Sequence, residues 1–128
     1  METSSLTVLG SQARRPIEHV EVFPAPDHVT MVRAVTEEVT SLCPVTEQPD
    51  LSRVEIEYEP GPSCVESKSL KLYLWHFRDR AVFAEALAAE IANEIFSTAA
   101  ARRVTVTLTQ RPRGGIEITA VAERLRDE

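Results

Sequence analysis

From Arg53 to Glu59 apolar and charged side chains alternate without a break, Val54, Ile56 and Tyr58 on one side and Arg53, Glu55, Glu57 and Glu59 on the other. A period of two predicts a strand with one face on a core and the other in water. Upstream, Val29 to Leu42 is rich in Val and Thr and free of Gly and Pro, which predicts a second strand, ended by Pro44. Near the end of the chain Val104, Val106 and Leu108 alternate with Thr105, Thr107 and Thr109. After Arg111-Pro112-Arg113-Gly114-Gly115, the residues Ile116, Ile118 and Ala120 alternate with Glu117, Thr119 and Val121, so these two runs predict a hairpin. In the middle the period changes. Leu70, Tyr73, Leu74 and Phe77 recur at steps of three and four, with Lys68, Lys71, Trp75 and Arg78 on the opposite side. Pro60-Gly61-Pro62 closes the preceding strand, and Ser63 with Glu66 three residues later has the pattern of a capping box at the helix start. A longer helix is predicted from about Ala81 to Ala100, with Phe83, Leu87, Ile91 and Ile95 spaced by four.

The order strand, strand, helix, helix, strand, strand predicts an α+β fold: a four-stranded antiparallel sheet with two helices on one face. Its two open edges need pairing, covering or charge, and joining copies edge to edge predicts a homo-oligomer. A chain of 128 residues has room for one domain, read here as residues 16–128 behind a loose leader at residues 1–15.

Charge narrows the function. Twenty Asp and Glu against fourteen Lys and Arg give a net charge of −6, which argues against a surface that grips nucleic-acid backbone. No run is long and apolar enough to span a membrane and the first residues lack a signal-peptide core, so a cytoplasmic protein is expected. Two cysteines, Cys43 and Cys64, are too few for a disulfide scaffold, although a bridge between them is open in principle. Cys43, Cys64 and His76 lack the paired spacing of a metal clip, so no metal is expected.

Only two lysines occur, Lys68 and Lys71, on one helix face with Arg78 further along. They fit a solvated face, or a docking strip for a phosphorylated ligand. Arg111 and Arg113 stand beside two glycines that allow close backbone approach. Cys43 closes the first strand and Asp50 opens the next, across a loop stiffened by Pro44 and Pro49. Thiol and carboxylate together offer a nucleophile and an acid, or else a small buried hydrophobe and a turn cap. Cys64 reads as structural, and His19 and His28 as surface residues. Glu85 reads as a solvated carboxylate, or as a double acceptor for the N–H groups of a purine-type ring.

The block Ser41-Leu42-Cys43-Pro44-Val45-Thr46-Glu47-Gln48-Pro49-Asp50, the run Val65-Glu66-Ser67-Lys68-Ser69-Leu70-Lys71-Leu72-Tyr73-Leu74, Phe77-Arg78 and Pro112-Arg113-Gly114-Gly115-Ile116 together resemble the single-module 7-cyano-7-deazaguanine reductases. Thr7-Val8-Leu9-Gly10-Ser11-Gln12 and Phe23-Pro24 resemble that family's leader. The resemblance implies the tunnelling fold shared with GTP cyclohydrolase I, in which subunit sheets close into an oligomeric barrel with sites between subunits. It implies NADPH-dependent reduction of a nitrile to an amine on a small 7-deazapurine in queuosine biosynthesis, a tRNA-modification pathway, with no direct nucleic-acid partner. Cys43 is then the nucleophile that forms a thioimide and Asp50 the proton donor. Lys68, Lys71 and Arg113 hold cofactor phosphates, Glu85 reads the guanine-like edge, and Val65, Glu66 and Ser67 line the base pocket. One position departs from the pattern: Ala84 stands where a histidine usually precedes the base-reading Glu, with water or His76 as replacements. The alternatives are an amidinotransferase of the same fold, against which Lys68 and Lys71 argue, and a non-reducing deazapurine or pterin binder.

Overall fold

The structure is a computed structural model that describes residues 15–127. The leader expected at residues 1–15 lies almost wholly outside the described residues. Six strands and two helices follow: β1 (Val22–Pro24), β2 (Val32–Leu42), β3 (Pro49–Glu59), β4 (Ser63–Val65), α1 (Ser67–Trp75), α2 (Ala84–Thr98), β5 (Arg103–Arg113) and β6 (Ile116–Leu125). The main sheet is antiparallel in the order β2-β3-β5-β6, and β1 and β4 form a separate two-stranded ribbon.

The period-two pattern is realised in β3, where Asp50, Ser52, Val54, Ile56 and Tyr58 are buried and the residues between them are not. Val54, Ile56, Val104, Val106 and Leu108 meet the α2 stripe of Leu87, Ile91 and Ile95 in one core. On the opposite face of the sheet charges pair across strands, Arg33 with Glu55 at 3.0 Å and Arg111 with Glu37 at 3.2 Å. Such exposed pairs add solubility more than stability.

Two boundaries differ from expectation. Ser63 does not cap α1, because Ser63–Val65 is the strand that pairs with β1. Glu66 is itself the cap, its carboxylate accepting from the N–H groups of Lys68 at 2.9 Å and Ser69 at 2.8 Å. The second helix starts at Ala84 and not Ala81, because residues 80–82 run beside the end of β2: Leu42 N–H donates to the Arg80 carbonyl at 2.9 Å and Val82 N–H to the Leu42 carbonyl at 3.1 Å. Phe83 is therefore outside the buried stripe and 56% exposed. A 3₁₀ turn at His76–Asp79 joins α1 to that segment, and the Arg80 guanidinium fixes the segment to α2 through Glu90 at 3.0 Å.

Candidate active site

At one end of the sheet three elements converge: the end of β2, the start of β3 and the end of β5. Cys43 N–H donates to the Gln48 carbonyl at 2.9 Å, closing the β2–β3 loop, and Glu47 N–H donates to the Cys43 carbonyl at 2.8 Å. That i to i+4 bond makes residues 43–47 a single helical turn with Cys43 in the cap position, so the N–H groups of Val45 and Thr46 point back at its sulfur. Glu47 ends the turn with φ of 60°, a left-handed conformation that costs a side-chain residue about 1 kcal/mol.

The Thr46 hydroxyl, the Thr46 and Val45 N–H groups and the Arg113 guanidinium together lower the Cys43 thiol to about 6, against a small opposing effect of burial. Most of it is then thiolate at neutral pH. The side chain is part-exposed, so this sulfur is both activated and reachable.

Arg113 ties the cluster together. Its Nη1 donates to Gln48 Oε1 at 2.9 Å and Thr46 Oγ1 at 3.1 Å, and its Nη2 lies 2.9 Å from Asp50 Oδ1. The Asp50 carboxylate is 6% exposed, while the arginine is 38% exposed. Sequence reasoning placed Arg113 on cofactor phosphates only. Its reach across to the Cys43 loop was hidden because the hairpin that carries it lies 63 or more residues away in sequence. The parallel Leu42–Ala81 bridge sets the segment that leads into α2 beside the end of β2. Glu85, in the first turn of that helix, is exposed.

The remaining expected residues lie elsewhere in the same chain. Val65 N–H donates to the Tyr58 hydroxyl at 2.9 Å, which sets Val65, Glu66 and Ser67 at the far end of β3 from Asp50. Eight residue steps separate Asp50 from Tyr58, so the end of β3 to which Val65 is anchored lies about 25 Å along the strand from Asp50. Lys68 and Lys71 follow on α1, Lys71 fully on its exposed side. Each Glu66 oxygen accepts one N–H of the helix start, which fixes the carboxylate and leaves a further acceptor site on each oxygen. Ala84 is 3% exposed within the core cluster. Both ring nitrogens of His76 are engaged within the chain, Nδ1 at 2.6 Å from the Tyr73 carbonyl and Nε2 at 3.4 Å from Arg80 Nη1.

Cys43 and Cys64 are both free thiols. Among the described residues no group of three or more His, Cys, Asp or Glu side chains is placed to hold a metal ion, and no helix is long and apolar enough to cross a membrane.

Residues 49–128 match the family model described as QueF-like protein. The chain belongs to the QueF-like family. This QueF-like chain is 41% identical over 124 residues to the NADPH-dependent 7-cyano-7-deazaguanine reductase of Syntrophus aciditrophicus, covering 95% of the chain and 88% of that protein. It is 37% identical over 123 residues to the reductase of the same name from Frankia casuarinae, covering 96% and 98%. Among solved structures, the apo form of the archaeosine synthase QueF-Like superposes with a TM-score of 0.71 at 26% identity, covering 76% of the chain and 95% of that structure. The α+β fold read from the sequence is thereby the tunnelling fold of a QueF-like protein, with two helices over antiparallel strands.

Proposed function

We propose that this protein reduces the nitrile of 7-cyano-7-deazaguanine to an aminomethyl group with NADPH, in queuosine biosynthesis, through a thioimide on Cys43. The observation that carries this reading is the activated Cys43 thiol on a loop whose Arg113 clamp also grips the buried Asp50 carboxylate. A nitrile conjugated to an electron-rich ring accepts hydride poorly, and covalent addition converts it to a better acceptor. The Cys43 sulfur bonds to the nitrile carbon, one π bond of the triple bond opens, and a proton passes through Asp50 to the nitrogen, so the addition consumes neither oxidant nor reductant. NADPH when bound supplies hydride, twice over for the four-electron change.

The residues present suit that cofactor. Lys71, exposed on α1 three residues after Lys68, offers a point charge for a phosphate. Arg113 spends three donor contacts on Asp50, Thr46 and Gln48, which makes it first a positioning residue; its exposed edge is what remains for a phosphate. Glu85, exposed in the first turn of α2, accepts from the guanine-like edge of the base.

The separation of about 25 Å along the strand supports a site completed by a second copy, with Val65, Glu66 and Ser67 of one subunit facing Cys43, Asp50 and Glu85 of the next. The edges suit such joining. Met31 and Val35 on one side and Ile116, Val121 and Leu125 on the other are exposed apolar residues at or beside the outer strands β2 and β6. A homo-oligomeric barrel acting in the cytoplasm follows from this reading.

Mixing the protein, the cyano base and NADPH, and following cofactor absorbance, tests the function. Two NADPH oxidised per base support the reductase; a bound base without oxidation supports a non-reducing binder and contradicts it.

A further inference from the structure

Among the described residues β4 has a strand beside it on one edge only, because it pairs with β1 in a two-stranded ribbon. Along that ribbon Ala25 N–H donates to the Pro62 carbonyl at 3.0 Å and Glu66 N–H to the Glu21 carbonyl at 2.8 Å. Alternate residues of an antiparallel ladder face the partner strand, so the Val65 N–H is turned away from β1. It goes to a side chain instead: the Tyr58 hydroxyl accepts it at 2.9 Å. The phenol oxygen stands where a third strand would have placed a carbonyl.

The ring behind that oxygen cannot swing. Tyr58 is 4% exposed on the inner face of the main sheet, with Val32 of β2 and Val104 of β5 directly opposite it on either side. The turn that leads from Tyr58 to Val65 is held as well, since Arg102 N–H donates to the Glu59 carbonyl at 2.9 Å and Gly61 backs onto the Ala100 carbonyl. Burial pushes the phenol up from its ordinary value, against the Val65 N–H, so the group stays neutral around pH 7.

We infer that Tyr58 is a positioning residue for base recognition: its hydroxyl fixes Val65, and through Val65 the Glu66 carboxylate and Ser67, against the main sheet. The inference rests on the reading of Val65, Glu66 and Ser67 as the wall of the base pocket and adds to it the residue that sets that wall in place. The hydrogen bonds just beyond Val65 are local to the wall. Ser69 Oγ donates to the Glu66 carbonyl at 2.7 Å, and the Glu66 carboxylate accepts from the Lys68 and Ser69 N–H groups. These bonds make the helix start rigid in itself, whereas the Tyr58 bond ties it to the strand whose other end carries Asp50. Small displacements of groups that hold a substrate cost much of its productive binding.

Tyr58→Phe keeps the ring and removes the oxygen alone, and the test compares it with wild type in steady-state turnover of the cyano base with NADPH. The KM for the base is expected to rise roughly tenfold, the worth of one well-placed hydrogen bond, with kcat at saturating base largely retained. The pH midpoint for alkylation of Cys43, which reads the opposite end of β3, should stay at its wild-type value. A variant that merely loses folded protein lowers kcat and keeps KM, and that result overturns the proposal. A shifted Cys43 midpoint overturns it too, because the effect then spreads through the sheet. Where Tyr58→Phe fails to fold, amide exchange in the wild-type protein decides: slow exchange at Val65 supports the bond to the phenol, and exchange at the rate of a free peptide overturns it. If wild type turns over the base and Tyr58→Phe matches it in KM, the positioning role falls and the reductase reading stands; if wild type turns over no base, the reading fails and the role with it.

Discussion

Arg113 and Asp50 form an ion pair of 2.9 Å in which the carboxylate is almost fully buried and the guanidinium is not. The same guanidinium holds the loop that carries Cys43. Removing it leaves a buried carboxylate without its partner and the nucleophile on a loosened loop. Arg113→Met should slow adduct formation with the cyano base by at least about tenfold, measured by single-turnover intact mass. Arg113→Lys should recover only part of the rate, because one ammonium cannot span three acceptors in a fixed fork.

The ionisation of Cys43 is a second consequence. Since its thiol is lowered to about 6, alkylation by iodoacetamide should rise with pH through that value and level off near neutrality. The Thr46 hydroxyl is the largest cause. Thr46→Val should therefore move the midpoint upward, toward the ordinary thiol range. A profile identical to wild type would remove Thr46 from the account.

Subunit mixing tests the divided site. Cys43→Ala disables one end of the chain and Lys71→Glu the other, so each homogeneous assembly should be inactive. Assemblies formed from equal amounts of both should regain about a quarter of wild-type activity, the share of junctions that join two intact halves. No recovery would place the whole site in one chain.

Gly61 gives a stability prediction far from the chemistry. A Cβ there would lie 2.3 Å from the Ala100 carbonyl oxygen, a clash with backbone that cannot rotate away. Gly61→Ala should destabilise by about 1 to 3 kcal/mol in denaturant unfolding. Ala100, with φ of 52°, should gain stability as Gly in the same assay.

How much of this was legible follows from which interactions are local. The alternation of Val54, Ile56 and Tyr58 and the spacing of Leu87, Ile91 and Ile95 gave the strand and the helix because burial imposes those periods directly. The start of α2 was misplaced by three residues because the pairing of Leu42 with residues 80–82 leaves no periodic trace. The helix cap was assigned to Ser63 because Ser63–Val65 is too short for a visible alternation, although its pairing with β1 is what displaces it. In the site, the loop between Cys43 and Asp50 left a buried thiol and a turn cap equally open, and the resemblance of the block Ser41 to Asp50 is what singled the pair out. The clamp by Arg113 and the roughly 25 Å of strand between Asp50 and the end that anchors Val65 depend on strand register, which the sequence of a single strand does not encode.

The most direct test of covalent capture is intact mass spectrometry of the protein incubated with the cyano base and no NADPH. A gain equal to one base on wild type, absent in Cys43→Ala while that variant still binds the base by calorimetry, is the predicted result. An adduct that survives in Cys43→Ala, or none in wild type under saturating base, would contradict the account.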